Sequence, residues 1–427
     1  MPKKKTALTI EERLQQALVP AEEQPYEVPE NWVWVRLTNI ISLSTGKKDA
    51  NYGSDKGVYP FFTCASEPIA CNDYSFDGES ILVPGNGANV GLVIYYNGKF
   101  EAYQRTYVIQ KSKFNIKFIY YNMLAFWDEH NRNKQYGSAT NYIKLGNFES
   151  YNIALPPLSE QQRIVERIEE LFAKLDEAKE RLQEVADSFA VRKAAILHKA
   201  FTGELTKQWR LENGVSDESW EEKKFSEVAV IKSNLVSPFD YLDYPHIAPD
   251  SIEKFTGRLL SYRTIREDNV KSPKHLFYKG QILYSKIRPY LSKAIIADVD
   301  GLCSADMYPI EALCNTKYLL KYMLSTEFLE QSTTAGSRSL LPKINQKELS
   351  SISVPLPTLP EQHEIVRLID DLLARERAAQ QAAEQALASI DLMKKSILAR
   401  AFRGELGTNK ASEASALELL KQVLAEN

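Results

Sequence analysis

The chain has few of the residues that hold disulfide-rich or zinc-binding proteins together. Its 427 residues include only four cysteines, and no two of them form a CxxC pair. In a chain of this length, such spacing favours reduced cysteines over disulfides or zinc ligands. The five histidines are scattered along the sequence as well. The sequence therefore predicts no metal site.

Long apolar stretches are also missing. No run of eighteen apolar residues occurs, and the lysines near the first residue are not followed by an apolar segment with a cleavage site. We therefore expect a cytoplasmic protein that does not enter a membrane. A hydrophobic fraction of 44% is ample for more than one core, and the length predicts two or three domains.

A strong charge of either sign is absent, since the net charge is −3. The segments 31–154 and 219–355 each carry two more basic than acidic residues, 12 against 10 and 18 against 16. This mild bias excludes DNA binding by bulk electrostatics and leaves room for localised phosphate contacts. Ordinary solvated surface explains the same bias equally well.

Catalytic motifs are absent too. A glycine-containing loop at 84–91 follows an apolar run, but its glycines are misspaced for GxGxxG and a strand-like stretch comes next. A turn between strands is the better interpretation. The sequence contains no Walker A lysine motif and no Asn- or Asp-Pro-Pro-Tyr motif of the kind that holds a flipped adenine. We predict no catalytic residue and no cofactor bound by this chain itself.

What the chain does contain is an internal duplication. Residues 155–205 and 356–406 align without a gap at a constant offset of 201 residues. Both copies begin with a Leu-Pro segment that leads to Glu-Gln, at Glu160-Gln161 and Glu361-Gln362, and both end in Ala-Phe-x-Gly-Glu-Leu. Self-similarity at a long period predicts two equivalent structural units. Such a protein suits a target that also has two halves.

Each copy predicts one long helix. Helix start signals follow Leu158 and Leu359, and the apolar residues then recur at 4,3 spacing, which is typical of a coiled coil. An antiparallel register in which paired numbers sum to 568 sets large residues against small ones, as Phe189 against Ala379, and places Arg192 beside Glu376. The residues predicted to pair the helices are Leu175, Leu182, Val185, Phe189, Arg192, Glu376, Ala379, Ala383, Ala386 and Met393.

The predicted fold class is α+β with a pseudo-two-fold internal repeat. Two globular mixed α/β domains, at 31–154 and 219–355, contain short β-rich runs broken by Gly, Pro and Asn, and two long antiparallel coiled-coil helices at 155–205 and 356–406 join them. The domains begin and end alike, and their sequences diverge in between. The remaining segments are an N-terminal helical segment at 1–30, a linker at 206–218 and a C-terminal helical tail at 407–427.

Loops of both domains gather basic, amide, hydroxyl and aromatic side chains that suit contacts with base edges and phosphates. Solvated turns without a ligand are the plain alternative. Candidates for DNA contact in the first domain are Lys47, Lys48, Asn86, Asn89, Arg105, Arg132, Lys134, Tyr136, Ser138, Thr140 and Asn141. Candidates in the second domain are Lys232, Asn234, Lys286, Arg288, Tyr290, Lys293, Arg338, Ser339 and Lys343.

With its start and end motifs present twice, the chain resembles the specificity subunits of type I restriction-modification enzymes. The resemblance covers nearly the whole length and includes Trp32 and Trp220 at the start of each domain and the basic stretch 280–290. It implies that the domains are target recognition domains, each reading half of a split DNA sequence. It also implies that the long helices fix the distance between the halves and dock methyltransferase subunits.

The resemblance further implies a set of partners. These are double-stranded DNA with a bipartite site, two methyltransferase subunits with S-adenosylmethionine, and two ATP-driven restriction subunits, with Mg²⁺ on the partner subunits. The terminal segments Thr9–Leu18 and Ser415–Leu424 would come together. Around Val83–Asn89, Pro-Gly-Asn-Gly replaces the basic stretch of the second domain, so the loop that contacts bases there stays open.

Two other functions compete with this one. A structural scaffold, in which the coiled coil spaces two protein-binding modules, accounts for the duplication without DNA. An enzyme that acts on small molecules has only the loop at 84–91 in its favour. Salt-dependent retention of duplex DNA distinguishes the first function from the scaffold.

Overall fold

The computed structural model describes residues 9–110, 113–137, 140–335 and 342–425. The chain divides into two compact units, of which unit 1 comprises Met1–Arg181 and Ala386–Asn427, and unit 2 comprises Leu182–Gln385. Each unit combines one of the predicted globular domains with part of each long helix. Among the described residues, no helix is long and apolar enough to cross a lipid bilayer.

The first half of the chain ends in a long helix. Its strands are β1 (Val33–Arg36), β2 (Ser42–Thr45), β3 (Tyr59–Phe62), β4 (Ile69–Cys71), β5 (Glu79–Pro84), β6 (Ile94–Asn97), β7 (Glu101–Ala102), β8 (Thr106–Gln110) and β9 (Asn152–Leu155). Its helices are α1 (Ile10–Ala17), α2 (Ile116–Asn131), α3 (Leu145–Glu149) and the long helix α4 (Leu158–Phe201).

The second half follows a similar plan. Its strands are β10 (Glu221–Lys224), β11 (Ala229–Ile231), β12 (Leu235–Val236), β13 (Pro245–Ile247), β14 (Arg263–Thr264), β15 (Lys274–Phe277), β16 (Ile282–Ser285), β17 (Ala294–Ile296), β18 (Gly301–Cys303), β19 (Met307–Ala312) and β20 (Ser353–Leu356). Its helices are α5 (Lys207–Asn213), α6 (Phe225–Val228), α7 (Thr316–Met323), α8 (Thr326–Ala335), α9 (Gln346–Ser350), the long helix α10 (Leu359–Ala401) and α11 (Ala416–Ala425).

The described part of unit 1 contains three small sheets, one of which is the two-stranded pair β1-β9. A four-stranded antiparallel sheet has the order β2-β8-β5-β6, and a three-stranded sheet has the order β4-β3-β7. Helix α2 begins where the Asn115 side chain accepts a hydrogen bond from the Phe118 backbone N–H at 3.1 Å, which caps the first turn. Its buried residues Met123 and Trp127 share a core with Ile81 of β5. The helix thereby packs against the four-stranded sheet.

Unit 2 repeats this arrangement with a larger second sheet. The four-stranded sheet has the order β11-β19-β16-β17, and a five-stranded sheet has the order β12-β15-β18-β13-β14. Buried Tyr284, Tyr318 and Tyr322 occupy the core beneath the first sheet. Burial raises the pKa of each of these phenols, because the phenolate loses its hydration there.

The two domains share a backbone frame although their sequences diverge. In unit 1 Ile81 pairs with Ile109 across β5 and β8, and in unit 2 Ile282 pairs with Ile310 across β16 and β19. These pairs are related by the same offset of 201 residues as the long helices. Register depends on the alternation of buried apolar positions, which many different side chains satisfy. The central strand pairs β5-β8 and β16-β19 are therefore equivalent, although side chains and loops differ and the second sheet has two more strands in unit 2.

Buried carboxylates explain the repeated Glu-Gln motif. The Trp32 indole Nε1 donates to Glu160 Oε2 at 2.8 Å, and the Trp220 Nε1 donates to Glu361 Oε1 at 3.1 Å. Both carboxylates are fully buried. Asn409 completes the first group with a 2.9 Å bond to Glu160. Since a buried carboxylate is costly without partners, these bonds tie each domain to the start of a long helix.

The group around Glu361 contains a second buried charge. Arg210 donates from Nη1 to Glu361 Oε1 at 2.7 Å and from Nε to Asp217 Oδ1 at 2.7 Å. The Thr206 hydroxyl also donates to Glu361 Oε1, at 2.6 Å. The hydrogen bonds to Glu361 and Asp217 raise the pKa of Arg210, although burial acts in the opposite direction. The segment that follows α4 is thereby fixed to the start of α10.

The phenylalanine of the repeated Ala-Phe-x-Gly-Glu-Leu motif packs against aromatic residues of the globular domain in each unit. Phe402, at the end of α10, lies 5.2 Å from the ring of Phe118 in unit 1. Phe201, at the end of α4, lies 5.4 Å from the ring of Tyr318 and 5.1 Å from that of Tyr322 in unit 2. Each unit therefore combines the start of one long helix with the end of the other.

The terminal helices contact each other in unit 1, as the resemblance implied. The Arg13 guanidinium donates from Nη1 to the Leu424 carbonyl at 3.2 Å, which links α1 to α11. Asn31 donates to the Lys410 carbonyl at 3.2 Å. Both ends of the described chain are thus packed against the first domain.

Ion pairs link α4 to α10 within each unit. In unit 2 Arg192 Nε lies 2.9 Å from Glu376 Oε2, the pair that the 568 register predicted. In unit 1 Lys394 lies 2.5 Å from Asp176, and Lys179 lies 3.8 Å from Asp391. In unit 1 the residue numbers of the two pairs rise along α4 as they fall along α10, so the helices run in opposite directions there.

The predicted seam is wrong at three positions. Val185 and Met393 are 43% and 50% exposed, and Ala379 is exposed as well. Phe189 and Ala383 are buried as expected, and Leu175, Leu182 and Ala386 are half-buried. The 4,3 pattern marks the apolar side of each helix, and the exposed positions show that the partner helix does not cover all of that side. The Arg192 guanidinium lies 4.4 Å from the Phe189 ring centroid and covers part of it.

We expect the Arg192–Glu376 pair to contribute a coupling energy of about 0.5–1 kcal/mol, since both side chains are partly exposed. A double-mutant cycle on the free energy of unfolding, with each residue replaced by alanine, measures it. Arg181 is the matched control, because it pairs with Glu177 of its own helix and should show no coupling to Glu376. Equal coupling energies in the Arg192/Glu376 and Arg181/Glu376 cycles would contradict the assignment of Arg192 as the partner of Glu376.

Candidate nucleic-acid interface

Three loops of unit 1 meet beyond the end of strand β5. Asn86 forms a β-bridge with Tyr142. The Gly87 N–H donates to the Asn141 carbonyl at 2.8 Å, and the Gly85 N–H donates to the Arg105 carbonyl at 2.8 Å. Of the residues predicted to contact DNA, Asn86, Arg105 and Asn141 are thereby brought together.

Glycine is required where these loops cross. A Cβ atom at Gly85 would lie 2.4 Å from the Arg105 carbonyl oxygen, and one at Gly137 would lie 2.2 Å from the Thr140 carbonyl oxygen. Gly137 also has a φ of +93°, which side chains disfavour. The close approach of two backbones explains why a glycine-containing loop occurs at this place.

An aromatic and basic group lies beside these loops. Tyr136 stacks on Tyr142 with ring centroids 5.6 Å apart, and Lys144 Nζ lies 4.3 Å from the Tyr136 ring centroid. Tyr136 and Lys144 are exposed. The sequence prediction included Tyr136 and missed Lys144. The sequence signal for Lys144 is its position two residues after Tyr142, just before α3.

Other predicted residues of unit 1 have partners within the protein. Asn89 donates from Nδ2 to the Cys64 carbonyl at 2.8 Å. Lys48 Nζ lies 4.1 Å from the ring centroid of Tyr52, and the hydrogen bond between them raises the pKa of Lys48. Its neighbour Lys47 and the loop residue Thr140 are exposed. Ser138 lies outside the described residues.

Arg132 and Lys134 lie at the end of α2, where they contact other side chains. Arg132 lies 3.9 Å from Asp128, and Lys134 Nζ lies 3.4 Å from the imidazole nitrogens of His130. Burial and the charge of Lys134 lower the pKa of His130. Both basic residues are exposed, so they remain accessible to an anion.

The corresponding loops of unit 2 carry basic residues. Ile287 forms a β-bridge with Lys343, and the Lys286 N–H donates to the Asp306 carbonyl at 2.9 Å. Lys343 Nζ lies 3.2 Å from Asp306 Oδ1. The Arg288 N–H donates to the Pro342 carbonyl at 2.7 Å. Lys286, Arg288 and Lys343 are therefore neighbours.

The loop that carries Arg288 is conformationally strained. Arg288 and Ser292 adopt left-handed backbone conformations, with φ of +48° and +46°. Each costs about 1–2 kcal/mol for a residue with a side chain. Such strain is typical of binding sites, where the surrounding structure holds a side chain in a required place. Arg288 and Tyr290 are exposed on this loop.

The remaining candidates of unit 2 are less suited to bind DNA. Lys232 lies 2.9 Å from Glu311, and Lys293 donates to the Pro249 carbonyl at 2.7 Å. Both ammonium groups thus have partners within the protein. Asn234 is exposed, and its carbonyl accepts from the Leu276 N–H at 3.2 Å. Arg338 and Ser339 lie outside the described residues.

The two sets of loops occupy equivalent positions. Adding 201 to Asn86 and Tyr142 gives Ile287 and Lys343, and each of these pairs forms a β-bridge. The backbone bond from Gly85 to Arg105 likewise corresponds to the bond from Lys286 to Asp306. The loop at 84–91 is therefore the counterpart of the basic loop in unit 2, although it has no lysine or arginine.

The comparisons with known proteins assign the chain to a class. Residues 29–187 and 217–386 match the family model of the type I restriction modification DNA specificity domain. The chain belongs to this family, and it contains the domain twice.

Particular relatives agree with that class, one of them over nearly the full length. The chain is 41% identical over 429 residues to the type I restriction enzyme EcoDI specificity subunit of Escherichia coli, covering 94% of this chain and 96% of the relative. It is 26% identical over 354 residues to the EcoBI specificity subunit of Escherichia coli, covering 74% of this chain and 73% of the relative. The resemblance inferred from the repeated motifs is confirmed.

Solved structures support the fold. An HsdS subunit from Thermoanaerobacter tengcongensis superposes with a TM-score of 0.63 at 17% identity, covering 90% of this chain and all of that one. A chain from a study of complex assembly and conformational transition in the type I R-M system superposes with a TM-score of 0.65 at 18% identity, covering 90% and 100% of the two chains. At these identities the likeness shows the mixed α+β fold.

Proposed function

We propose that units 1 and 2 each read one half of a bipartite site in double-stranded DNA, as parts of the specificity subunit of a type I restriction-modification system. The reading loops are those around Asn86 and Lys286. One observation carries the proposal: the same backbone frame occurs twice, with different side chains at the equivalent loop positions. Base edges are distinguished by hydrogen-bonding side chains, so equal frames with unequal loops suit two different half-sites.

The long helices would form an antiparallel coiled coil that sets the unread gap between the half-sites. The Arg192–Glu376 and Asp176–Lys394 pairs support this role, since each fixes the register of α4 against α10 within its unit. The buried carboxylates Glu160 and Glu361 support it too, because they attach each domain to a helix. The outer faces of the helices would dock the methyltransferase subunits.

The chain would supply recognition and no catalysis. Its partners would be two methyltransferase subunits with S-adenosylmethionine and, for cleavage, two restriction subunits that use ATP and Mg²⁺, in the cytoplasm. The relatives support this assignment, since they are specificity subunits of type I restriction enzymes.

Methylation mapping tests the proposed function. The chain is expressed with its methyltransferase partner in a host that lacks methylated adenine, and modified adenines are located across the genome. We expect one motif with two specified parts separated by a gap of fixed length. A contiguous motif, or no methylation beyond that given by the partner alone, would show that the two units do not read separate half-sites.

Arg288 provides a test of base readout in unit 2. We expect Arg288→Ala to lower discrimination at one base pair of one half-site by about 1–3 kcal/mol, the contribution of a good bidentate contact. Methylation rates on duplexes altered one base pair at a time measure this. Arg258→Ala is the matched control, because Arg258 binds both oxygens of Glu253, at 2.9 and 3.0 Å, and should leave discrimination unchanged. A uniform loss of methylation rate over all duplexes would instead indicate that Arg288 contacts a phosphate.

A further inference from the structure

A group of cations in unit 2 has too little negative charge nearby. Lys274 is 9% exposed, and Lys286 and Lys343 lie on the neighbouring loops. Asp306 is the one carboxylate that acts on all three lysines among the described residues, and it lies 3.2 Å from Lys343 Nζ. Burial lowers the pKa of Lys274 and of Lys286, and the charge of Lys343 lowers that of Lys286 further. Among the described residues, two of the three positive charges have no carboxylate of their own, although Lys274 Nζ donates to Ser272 Oγ at 2.6 Å.

The Lys286 ammonium faces an aromatic ring. Its Nζ lies 5.0 Å from the ring centroid of Tyr308, a cation–π distance that offsets only part of the cost of desolvation. No hydrogen bond from this ammonium group to the described residues is found. The backbone on both sides of Lys286 is fixed, because its N–H donates to Asp306 and its carbonyl accepts from the Ile344 N–H at 2.9 Å.

His275 adds an unsatisfied polar atom to the group. The side chain is 3% exposed, and its Nδ1 is buried with no hydrogen-bond partner among the described residues. It pairs with Cys303 across β15 and β18, on the face that also holds Phe277. The charge of Lys286 acts on this imidazole. Since its Nδ1 is buried, this nitrogen cannot itself reach a phosphate, and the imidazole supplies no negative charge that would balance the lysines.

We propose that Lys286 and Lys343, with Lys274 and His275 behind them, form a seat for a single backbone phosphate of the DNA. The inference rests on the proposed function, which supplies the ligand. A phosphate offers a negative charge and several acceptor oxygens in a compact group, whereas a base edge offers acceptors without a net charge. The seat would fix the register of unit 2 on its half-site and would not read sequence.

Unit 1 lacks this seat. The position equivalent to Lys286 is Gly85, and the position equivalent to Asp306 is Arg105. An exposed arginine there replaces the acid that lies beside the three lysines of unit 2. The phosphate seat is therefore a property of unit 2, and the two half-sites would be held by different backbone contacts.

Methylphosphonate interference tests the seat. The probe is a duplex containing the mapped target, in which one phosphate at a time is replaced by a neutral methylphosphonate, and the complex of the chain with its methyltransferase partner is titrated with it. For the wild-type chain we expect one position in one half-site to weaken binding about tenfold. For Lys286→Gln we expect binding to the unmodified duplex to be about tenfold weaker, with no further loss at that position.

Salt dependence provides a second readout. The slope of log K against log salt should fall by about 0.9 in Lys286→Gln, and discrimination among altered targets should stay unchanged. Lys343→Gln should act in the same direction. Lys279→Gln is the matched control, since the exposed Lys279 lies before β16 whereas Lys286 follows it.

Three outcomes are distinguishable. Reduced discrimination with an unchanged salt slope would overturn the seat in favour of a base contact. An additive loss at every methylphosphonate position in Lys286→Gln would show that the lysine touches no phosphate. If the wild-type complex itself shows no preference for the mapped target, the proposed function is wrong, and a DNA phosphate as the ligand of the seat is wrong with it.

Discussion

Replacing Glu361 with alanine should lower the free energy of unfolding of unit 2 by about 3–5 kcal/mol, because a buried charge then loses its partner. The Arg210 side chain, 7% exposed, would keep Asp217 as its only carboxylate, and the Trp220 N–H and Thr206 hydroxyl would lose their acceptor. Urea denaturation followed by tryptophan fluorescence measures the change.

The control for this experiment lies one turn along the same helix. Glu364 pairs with Arg367, whose side chain is largely exposed, so Glu364→Ala should cost less than about 1 kcal/mol. Glu361→Gln keeps the shape of the side chain and removes its charge. Its loss in free energy of unfolding should lie between those of Glu361→Ala and Glu364→Ala. A loss below 1 kcal/mol for Glu361→Ala would mean that water reaches the site and replaces the carboxylate.

Insertion of seven residues into both α4 and α10 should lengthen the unread gap in the DNA target by about three base pairs. Seven helical residues add about 10 Å, and B-DNA rises about 3.4 Å per base pair. Seven residues also preserve the 3.5-residue repeat, so the apolar stripes of both helices stay in phase. The experiment maps methylated adenines in a host that expresses the variant with its partner.

Insertion into one helix alone is the matched control. It displaces α4 against α10 by one heptad, which separates Arg192 from Glu376 and leaves both side chains without their partner. We expect methylation at all sites to fall by at least tenfold. If instead the double insertion retains the original gap, the helices do not determine the spacing.

The long helices and their pairing could be predicted from the sequence because the relevant signals are local. A 4,3 apolar pattern and one charged residue in each copy were enough to place Arg192 against Glu376. The same pattern placed Val185 and Met393 in the seam, where they are exposed. Periodicity identifies the apolar side of a helix, and it does not tell how far the partner helix covers that side.

The tertiary role of the Glu-Gln motif could not be predicted in the same way. The partners of Glu361 include Arg210, which lies about 150 residues away in the chain, and no local pattern links the two. The loops around Lys286 were found because basic residues in a turn are conspicuous. His275 was missed, since a histidine within an apolar strand gives no sign of being unpartnered. Side chains that depend on distant segments require coordinates.

The division of the chain into units also bears on the order of events during its synthesis. Unit 2 is a continuous stretch that ends at Gln385, so all of it has been translated while residues of unit 1 are still missing. The core of unit 1 contains Phe402, Leu420 and Leu424 together with residues near the opposite terminus, such as Val35. On the ribosome, the second domain can thus complete its core first, although the first domain is made earlier.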